Sequence, residues 1–258
     1  MAVITFTSDF GYTDHYVAAV KAKIITHAPQ TTIVDVTHAV EPFNIPQAEY
    51  VLGSVFSEFP AGTVHLVAVD THGSRKGRFH AALYKGHYFL LADNGLLSLL
   101  TDGRPDKVVE LSTDGQLYPF PAKELLAPAA AFLAKGGDMD VLGEPTLNFR
   151  KLLNRQLRLL DHSITGHVIH VDRYGNLITD ITRDCIDTIA HGRTYTIHFG
   201  RETVGRINPT YNQVDEGDCC CIYNSQNQLC IGINKGHAAE LLGLGFDSQI
   251  DVRFYPGS

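Results

Sequence analysis

Val64-His65-Leu66-Val67-Ala68-Val69 is an almost continuous apolar run that ends on Asp70. An unbroken run of this kind, without polar alternation, marks a strand buried on both faces, as in a parallel sheet covered by helices. Working outward, the flanking segments keep the same rhythm. Val3 to Thr7 is β-rich, and Asp14 to Ile25 has helical spacing, with Tyr16, Val17, Val20 and Ile24 on one face. Thr31 to Val36 reads as a second strand, and Pro46 to Phe59 as a second helix with proline in its first turn. His87 to Ala92 and Gly95 to Leu100 add a strand and a short helix, and Ala122 to Lys135 is an Ala/Leu helix stopped by Gly136-Gly137. Alternating strands and helices predict an α/β domain with a mostly parallel sheet over residues 1–150.

Past about residue 150 the rhythm changes. Ser163 to Val171, Leu177 to Ile181, Thr194 to Phe199, Gly217 to Tyr223, Gln228 to Ile233 and Gln249 to Phe254 read as short strands with few helical runs between them. They predict a small all-β, barrel-like domain over residues 160–258, with the boundary inside Glu144 to Asp161.

The 258 residues are 44% hydrophobic and 19% charged, enough apolar material for a sizeable core. The formal net charge of −7 argues against a general basic surface for nucleic acid or for anionic membranes. The opening residues read as a strand rather than a signal peptide, and no apolar stretch is long enough to span a bilayer. Of five cysteines, Cys219, Cys220 and Cys221 are adjacent, with Cys185 and Cys230 apart. That spacing fits neither a zinc knuckle nor a disulfide framework and predicts a buried strand in a reduced, cytoplasmic protein.

In open α/β sheets ligands bind at the carboxyl ends of the parallel strands. Here the strands end on Ser8-Asp9-Phe10-Gly11, on Asp35-Val36-Thr37-His38, on Asp70-Thr71-His72-Gly73 and on Asp93-Asn94-Gly95. A carboxylate so placed can accept both hydroxyls of a ribose. Asp9 and Asp70, each followed by an irregular glycine-containing loop, read as ligand contacts. Asp14 and Asp93 read first as helix caps, and Asp35 as either a turn residue or a contact. Gly73-Ser74-Arg75-Lys76-Gly77-Arg78 could cradle an anion, yet neither a phosphate-loop spacing nor a dinucleotide Gly-x-Gly-x-x-Gly is present. His38 and His72 could converge with Asp9 and Asp35 on a metal, but scattered, hydrogen-bonded histidines are the simpler reading. No Gly-x-Ser-x-Gly elbow supports a hydrolase triad. In the second domain Asp172-Arg173-Tyr174-Gly175-Asn176 and Asn224-Ser225-Gln226-Asn227 are either hairpin turns or contacts for an ammonium group and a flat base.

Taken together these motifs resemble the S-adenosyl-L-methionine (SAM) hydrolases, also called SAM hydroxide adenosyltransferases, relatives of the fluorinating and chlorinating enzymes that use SAM. The resemblance runs over nearly the whole chain. It is carried by Ser8-Asp9-Phe10-Gly11 with Asp14, Tyr16 and Val17, by Val34-Asp35-Val36-Thr37-His38, and by Phe59-Pro60-Ala61-Gly62-Thr63-Val64-His65. Asp93-Asn94-Gly95-Leu96-Leu97-Ser98, Asp172 to Ile181, Asn224-Ser225 and Asn234 complete it.

The resemblance implies a homotrimer with SAM held between the N-terminal domain of one subunit and the C-terminal domain of its neighbour. It implies that Asp9, with Phe10 beside it, holds the ribose, and that Asp172, Asn176 and Ser225 receive the methionine end or the base. Tyr174 and the backbone near Asn234 would line the adenine pocket. Water would attack C5′ of the ribose, held by Asp70 and by Arg75 or Arg78, with SAM as substrate and no cofactor or metal. Two segments depart from the family pattern. The hydrolases carry Asp-Pro-Gly-Val-Gly where this chain continues from Asp70 as Thr71-His72-Gly73-Ser74, and they carry a histidine where it has Pro121. His72 and His80 stand as candidate replacements. The alternative reading is a family member that binds SAM, adenosine or a related nucleoside without turning it over.

Overall fold

The computed structural model describes residues 2–73, 77–153 and 155–255. The chain divides into two compact units, residues 1–154 and 155–258. In the first, β1 (Val3–Ser8) is followed by α1 (Tyr16–His27), β2 (Thr32–Thr37), α2 (Ile45–Gly53) and β3 (Val64–Ala68). Then come β4 (Phe79–Tyr84), β5 (His87–Ala92), α3 (Leu96–Leu100) and β6 (Lys107–Leu111). A π-helical turn (Ala122–Leu126) leads into α4 (Ala127–Ala134), and β7 (Gly143–Pro145) closes the unit.

Side-chain alternation along the buried strands feeds two cores. Val64, Leu66 and Ala68 of β3 meet Val20 and Ile24 of α1 and the inner face of α4. Val67 and Val69 point the other way, into a core with Ala48 and Leu52 of α2 and with α3. The Val64–Val69 run is apolar throughout because both of its faces are covered.

The sheet order is β2-β1-β3-β5-β4-β6-β7. Pairs β1–β2, β1–β3 and β3–β5 are parallel, whereas β5–β4, β4–β6 and β6–β7 are antiparallel. The sheet is therefore mixed, not mostly parallel. The cause is local: β4 and β5 pair from Phe79↔Ala92 to Tyr84↔His87, joined only by Lys85-Gly86. Both loop residues have positive φ (48° and 79°), the geometry of a type I′ turn, and a two-residue loop can join only antiparallel strands.

The second unit contains β8 (Arg158–Leu160), β9 (Ser163–Val171), β10 (Leu177–Thr182), α5 (Arg183–Ala190), β11 (Tyr195–Phe199) and β12 (Glu202–Val204). It continues with β13 (Cys219–Tyr223), β14 (Gln228–Ile233), α6 (Ala238–Leu242) and β15 (Gln249–Phe254). The antiparallel order β12-β11-β15-β9-β10-β14-β13 curls into a nearly closed barrel, with β8 added on β9. Its core gathers Ile164, Leu177, Ile197, Phe199, Ile231 and Val252. The sequence reading places no helix at α5, although Ile186, Ile189 and Ala190 share one of its faces; Thr182 caps it by accepting a hydrogen bond from the Cys185 N–H. The five cysteines are free, and Cys220, Cys221 and Cys230 are buried. Among the described residues no helix is long and apolar enough to cross a membrane.

Candidate functional site

The order β2-β1-β3 sends the connection after β1 to one side of that strand and the connection into β3 to the other. This reversal opens a crevice beyond the carboxyl ends of β1 and β3, the place where open α/β sheets bind ligands. Asp9 follows β1 there and Asp70 follows β3.

The structure joins these two residues. Asp9 Oδ2 accepts hydrogen bonds from the N–H of Asp70 at 3.1 Å and of Phe43 at 3.0 Å. Among the described residues Oδ1 accepts none, so it remains available to a ligand hydroxyl. Asp70 sits at φ 44°, and its carbonyl accepts the Gly73 N–H at 3.0 Å and Asn94 Nδ2 at 3.3 Å. A Cβ on Gly73 would run into the Asp70 carboxylate, so a side chain there would displace that carboxylate from its place. Burial, and then the neighbouring Asp9 charge, push the Asp70 carboxyl above its ordinary value, while Arg150 and His72 oppose them. Phe10 stands in a three-ring cluster, its centroid 5.7 Å from those of both Tyr16 and Phe120, next to Pro121.

The remaining strand-end acids have other partners. Asp14 is exposed and α1 carries no side-chain cap, so the expected cap does not form. Asp93 does not cap α3; Asn94 Oδ1 accepts the Leu96 N–H there instead. The buried Asp93 carboxylate holds the Arg150 N–H at 2.6 Å and the Arg78 guanidinium. Arg78 also donates to the Asn148 carbonyl and lies 3.7 Å from Glu110, so its charge is bound up in that cluster. Arg75 lies outside the described residues. His80 is fully buried with its Nδ1 3.9 Å from Asp93, whereas His72 is exposed and is the histidine whose charge acts on Asp70. Sequence reasoning missed Arg150; it lies 80 residues beyond Asp70 in a connector with no motif. Among the described residues no three His, Cys, Asp or Glu side chains gather as a metal site.

In the barrel, the Asp172 carboxylate orders the β9–β10 turn. Its Oδ1 accepts the N–H groups of Tyr174 and Asn176, both at 2.9 Å, and its Oδ2 accepts Asn176 Nδ2 at 2.8 Å. The turn forms one wall of a cavity of about 490 Å³ lined by Tyr174, Asn176, Tyr211, Ile233, Lys235 and His237. That volume suits a small molecule. Tyr211, which sequence reasoning also missed, packs its ring over Gly232, where a Cβ would come within 2.5 Å of Cε1. Its hydroxyl lies 3.2 Å from Cys230 Sγ, and burial pushes that phenol upward, so the ring is a neutral wall. Asn234 borders the cavity through Lys235 and holds the Val214 carbonyl with its own Nδ2. Ser225 is not brought to this group. It is exposed in the β13–β14 turn, near Gln228, at the opposite end of β14 from Ile233.

The comparisons with known proteins bear on both units. Residues 4–143 match the SAM hydroxide adenosyltransferase N-terminal domain and residues 166–251 match the corresponding C-terminal domain. An (R)-S-adenosyl-L-methionine hydrolase from Thermus thermophilus is 33% identical, covering 95% of this chain and 96% of that one. A more distant relative, a fluorinase from Actinopolyspora mzabensis, is 27% identical, with 92% of each chain covered. The crystal structure of an uncharacterised conserved protein from Thermotoga maritima superposes with a TM-score of 0.88 at 28% identity, over 97% of this chain and 99% of that one. With both of its units matched in order, this chain belongs to the SAM hydroxide adenosyltransferase family.

Proposed function

We propose that this protein binds SAM and hydrolyses it to adenosine and L-methionine. Water attacks C5′ of the ribose in line with the departing sulfur. The C5′–O bond forms as the C5′–S bond breaks, methionine leaves as a neutral thioether, and one proton is released to solvent. Because a sulfonium is already a good leaving group, the chemistry asks for no cofactor. What the protein supplies is alignment and removal of bulk water around the nucleophile.

The observation that carries this reading is the hydrogen-bonded pair Asp9–Asp70 at the switch point of the sheet. Asp9, with Phe10 beside it, takes the ribose hydroxyls, and Asp70 orients the water. The guanidinium that helps Asp70 comes from Arg75 or Arg150, while Arg78, clamped by Asp93, buttresses the loop. Asp172, Tyr174, Asn176 and Asn234, grouped at one cavity, serve one of the base and the methionine end, and Ser225, at the other end of β14, serves the other. The family resemblance further supports a cytoplasmic homotrimer whose sites draw on neighbouring subunits, which light scattering after gel filtration tests.

The deciding experiment incubates the purified protein with SAM and separates the products. Equal amounts of adenosine and methionine are expected, and Asp70→Ala abolishes both. Pro121, in the position where the hydrolases carry histidine, favours one second reading, a binder that does not turn SAM over. Calorimetric binding of SAM without adenosine release would establish that reading instead.

A further inference from the structure

Behind the Asp9 loop lies a polar chain, buried at its Ser8 and His38 end, that the reaction described above does not use. Lys21 Nζ lies 2.5 Å from Asp35 Oδ2, and Asp35 Oδ1 lies 3.1 Å from His38 Nε2. His38 Nδ1 is 2.8 Å from Ser8 Oγ, and Ser8 Oγ accepts the Phe10 N–H at 3.4 Å. Ser8 and His38 are sealed from solvent, at 0% and 1% exposure. The four residues come from β1, α1, β2 and the loop after β2.

The direction of this chain follows from the donor inventory. Asp35 Oδ1 lies within ion-pair distance of Nε2 without being aligned as a hydrogen-bond acceptor, so it is the carboxylate's charge that favours the imidazole proton on Nε2, facing Asp35. Nδ1 is then the acceptor, and the Ser8 hydroxyl donates to it, which leaves the Ser8 oxygen lone pairs for the Phe10 N–H. The backbone of His38 grips the same loop a second time: its carbonyl accepts the Gly11 N–H at 2.8 Å, and its N–H donates to the Tyr12 hydroxyl at 3.1 Å. Residues 8, 10, 11 and 12 are therefore all tied to His38, and Asp9 is the residue between them that is left to face the crevice.

We propose that His38 is a positioning residue, set in one tautomer by Asp35, which holds the Ser8–Tyr12 loop so that the Asp9 carboxylate meets the ribose. This inference rests on the SAM reading of the site. A purely structural role would leave Asp35 dispensable, since it is half-exposed and touches only the chain itself.

The test is a set of variants at the far end of the chain. In Asp35→Asn the Lys21 ammonium claims the amide oxygen, which turns the amide NH2 toward His38. Nε2 must then accept, the proton moves to Nδ1, and the Ser8 hydroxyl loses its buried acceptor. The KM for SAM is expected to rise about tenfold with kcat changed less than about threefold, because the ribose contact serves ground state and transition state alike. Lys21→Met alone changes KM little. Combined with Asp35→Asn, it frees the amide at position 35 to present its oxygen to His38, restoring most of the lost affinity.

Imidazole nitrogen NMR of the ligand-free protein reads the tautomer directly, with Nδ1 unprotonated in the wild type and protonated in Asp35→Asn. If wild-type protein neither binds nor hydrolyses SAM, the proposed function fails, and the NMR arm still judges the relay. If wild-type protein binds SAM but Asp35→Asn leaves both KM and the tautomer unchanged, or Lys21→Met deepens the defect, the positioning role is overturned.

Discussion

Asp9 has two tasks that a pair of substitutions separates. Its Oδ2 accepts the N–H groups of Asp70 and Phe43, and its Oδ1 accepts none among the described residues. In Asp9→Ala both N–H groups lose their acceptor. Phe43 is 72% exposed, so water replaces the bond there, while the half-buried Asp70 N–H bears most of the cost. An unsatisfied, partly buried donor costs about 1–3 kcal/mol. At about 2–4 °C per kcal/mol for a unit of this size, the melting temperature should fall by about 2–12 °C. Asp9→Asn keeps an amide oxygen for both N–H groups and should melt within about 2 °C of wild type. On the ligand side both variants fail alike, because the Asn amide presents a donor where a ribose hydroxyl needs an acceptor. A hydrogen bond to a charged group contributes about 1.5–3 kcal/mol, so SAM affinity should drop about 10- to 100-fold. Differential scanning fluorimetry and titration calorimetry read the two effects independently. Asp9→Asn binding SAM within about threefold of wild type would refute the ribose role. A stable Asp9→Ala would refute the account of the loop.

Three further outcomes follow from the geometry. Gly232→Ala places a methyl group 2.5 Å from Tyr211 Cε1 and 2.8 Å from Asn176 Oδ1, so it should weaken SAM binding about tenfold by calorimetry. Unchanged affinity would show that the barrel cavity does not hold the ligand. If Asp70 works as a carboxylate, activity falls as pH drops through its raised pKa. Arg150→Gln removes an influence that lowers that value, so the acid limb of the kcat/KM profile should move to higher pH, and high salt should mask the shift. Burial, and then the neighbouring His87, hold His65 down at about 3, against an unfolded value of 6.5. Between those pH values the unfolded chain binds a proton that the fold refuses. Stability therefore falls as pH drops below about 6.5, by up to about 1.4 kcal/mol per pH unit from this group. Chemical denaturation of His65→Gln across pH 7 to 4 should show a shallower decline; an identical slope would contradict the assignment.

Much of this architecture is legible locally. The Val64–Val69 run, the acids that close each strand, and the Asp172–Asn176 turn depend on neighbours a few residues away, where periodicity and turn chemistry operate. The mixed sheet was not legible because it turns on Lys85-Gly86, and lysine is not a residue that announces a type I′ turn. α5 escaped because it is only eight residues long and set among strands, although Ile186, Ile189 and Ala190 share one face, and its Thr182 cap is recognisable only once the helix is known. Partners far apart in sequence were hidden for a different reason. Ser8 and His38 meet only because β1 pairs with β2 in register, Arg150 acts on Asp70 across 80 residues, and Tyr211 reaches its cavity through the fold of the barrel. Ser225 is named with Asp172 by the family resemblance, and how far apart they lie within one chain depends on the register of β14, which local sequence does not show.

The central claim is that water attacks the ribose carbon, and the fate of the oxygen tests it. SAM incubated with the protein in water enriched in oxygen-18 should yield adenosine carrying the heavy oxygen at its 5′-hydroxyl, with an equal amount of unlabelled methionine. Adenosine without the label, or no adenosine from a protein that holds SAM, would contradict the account.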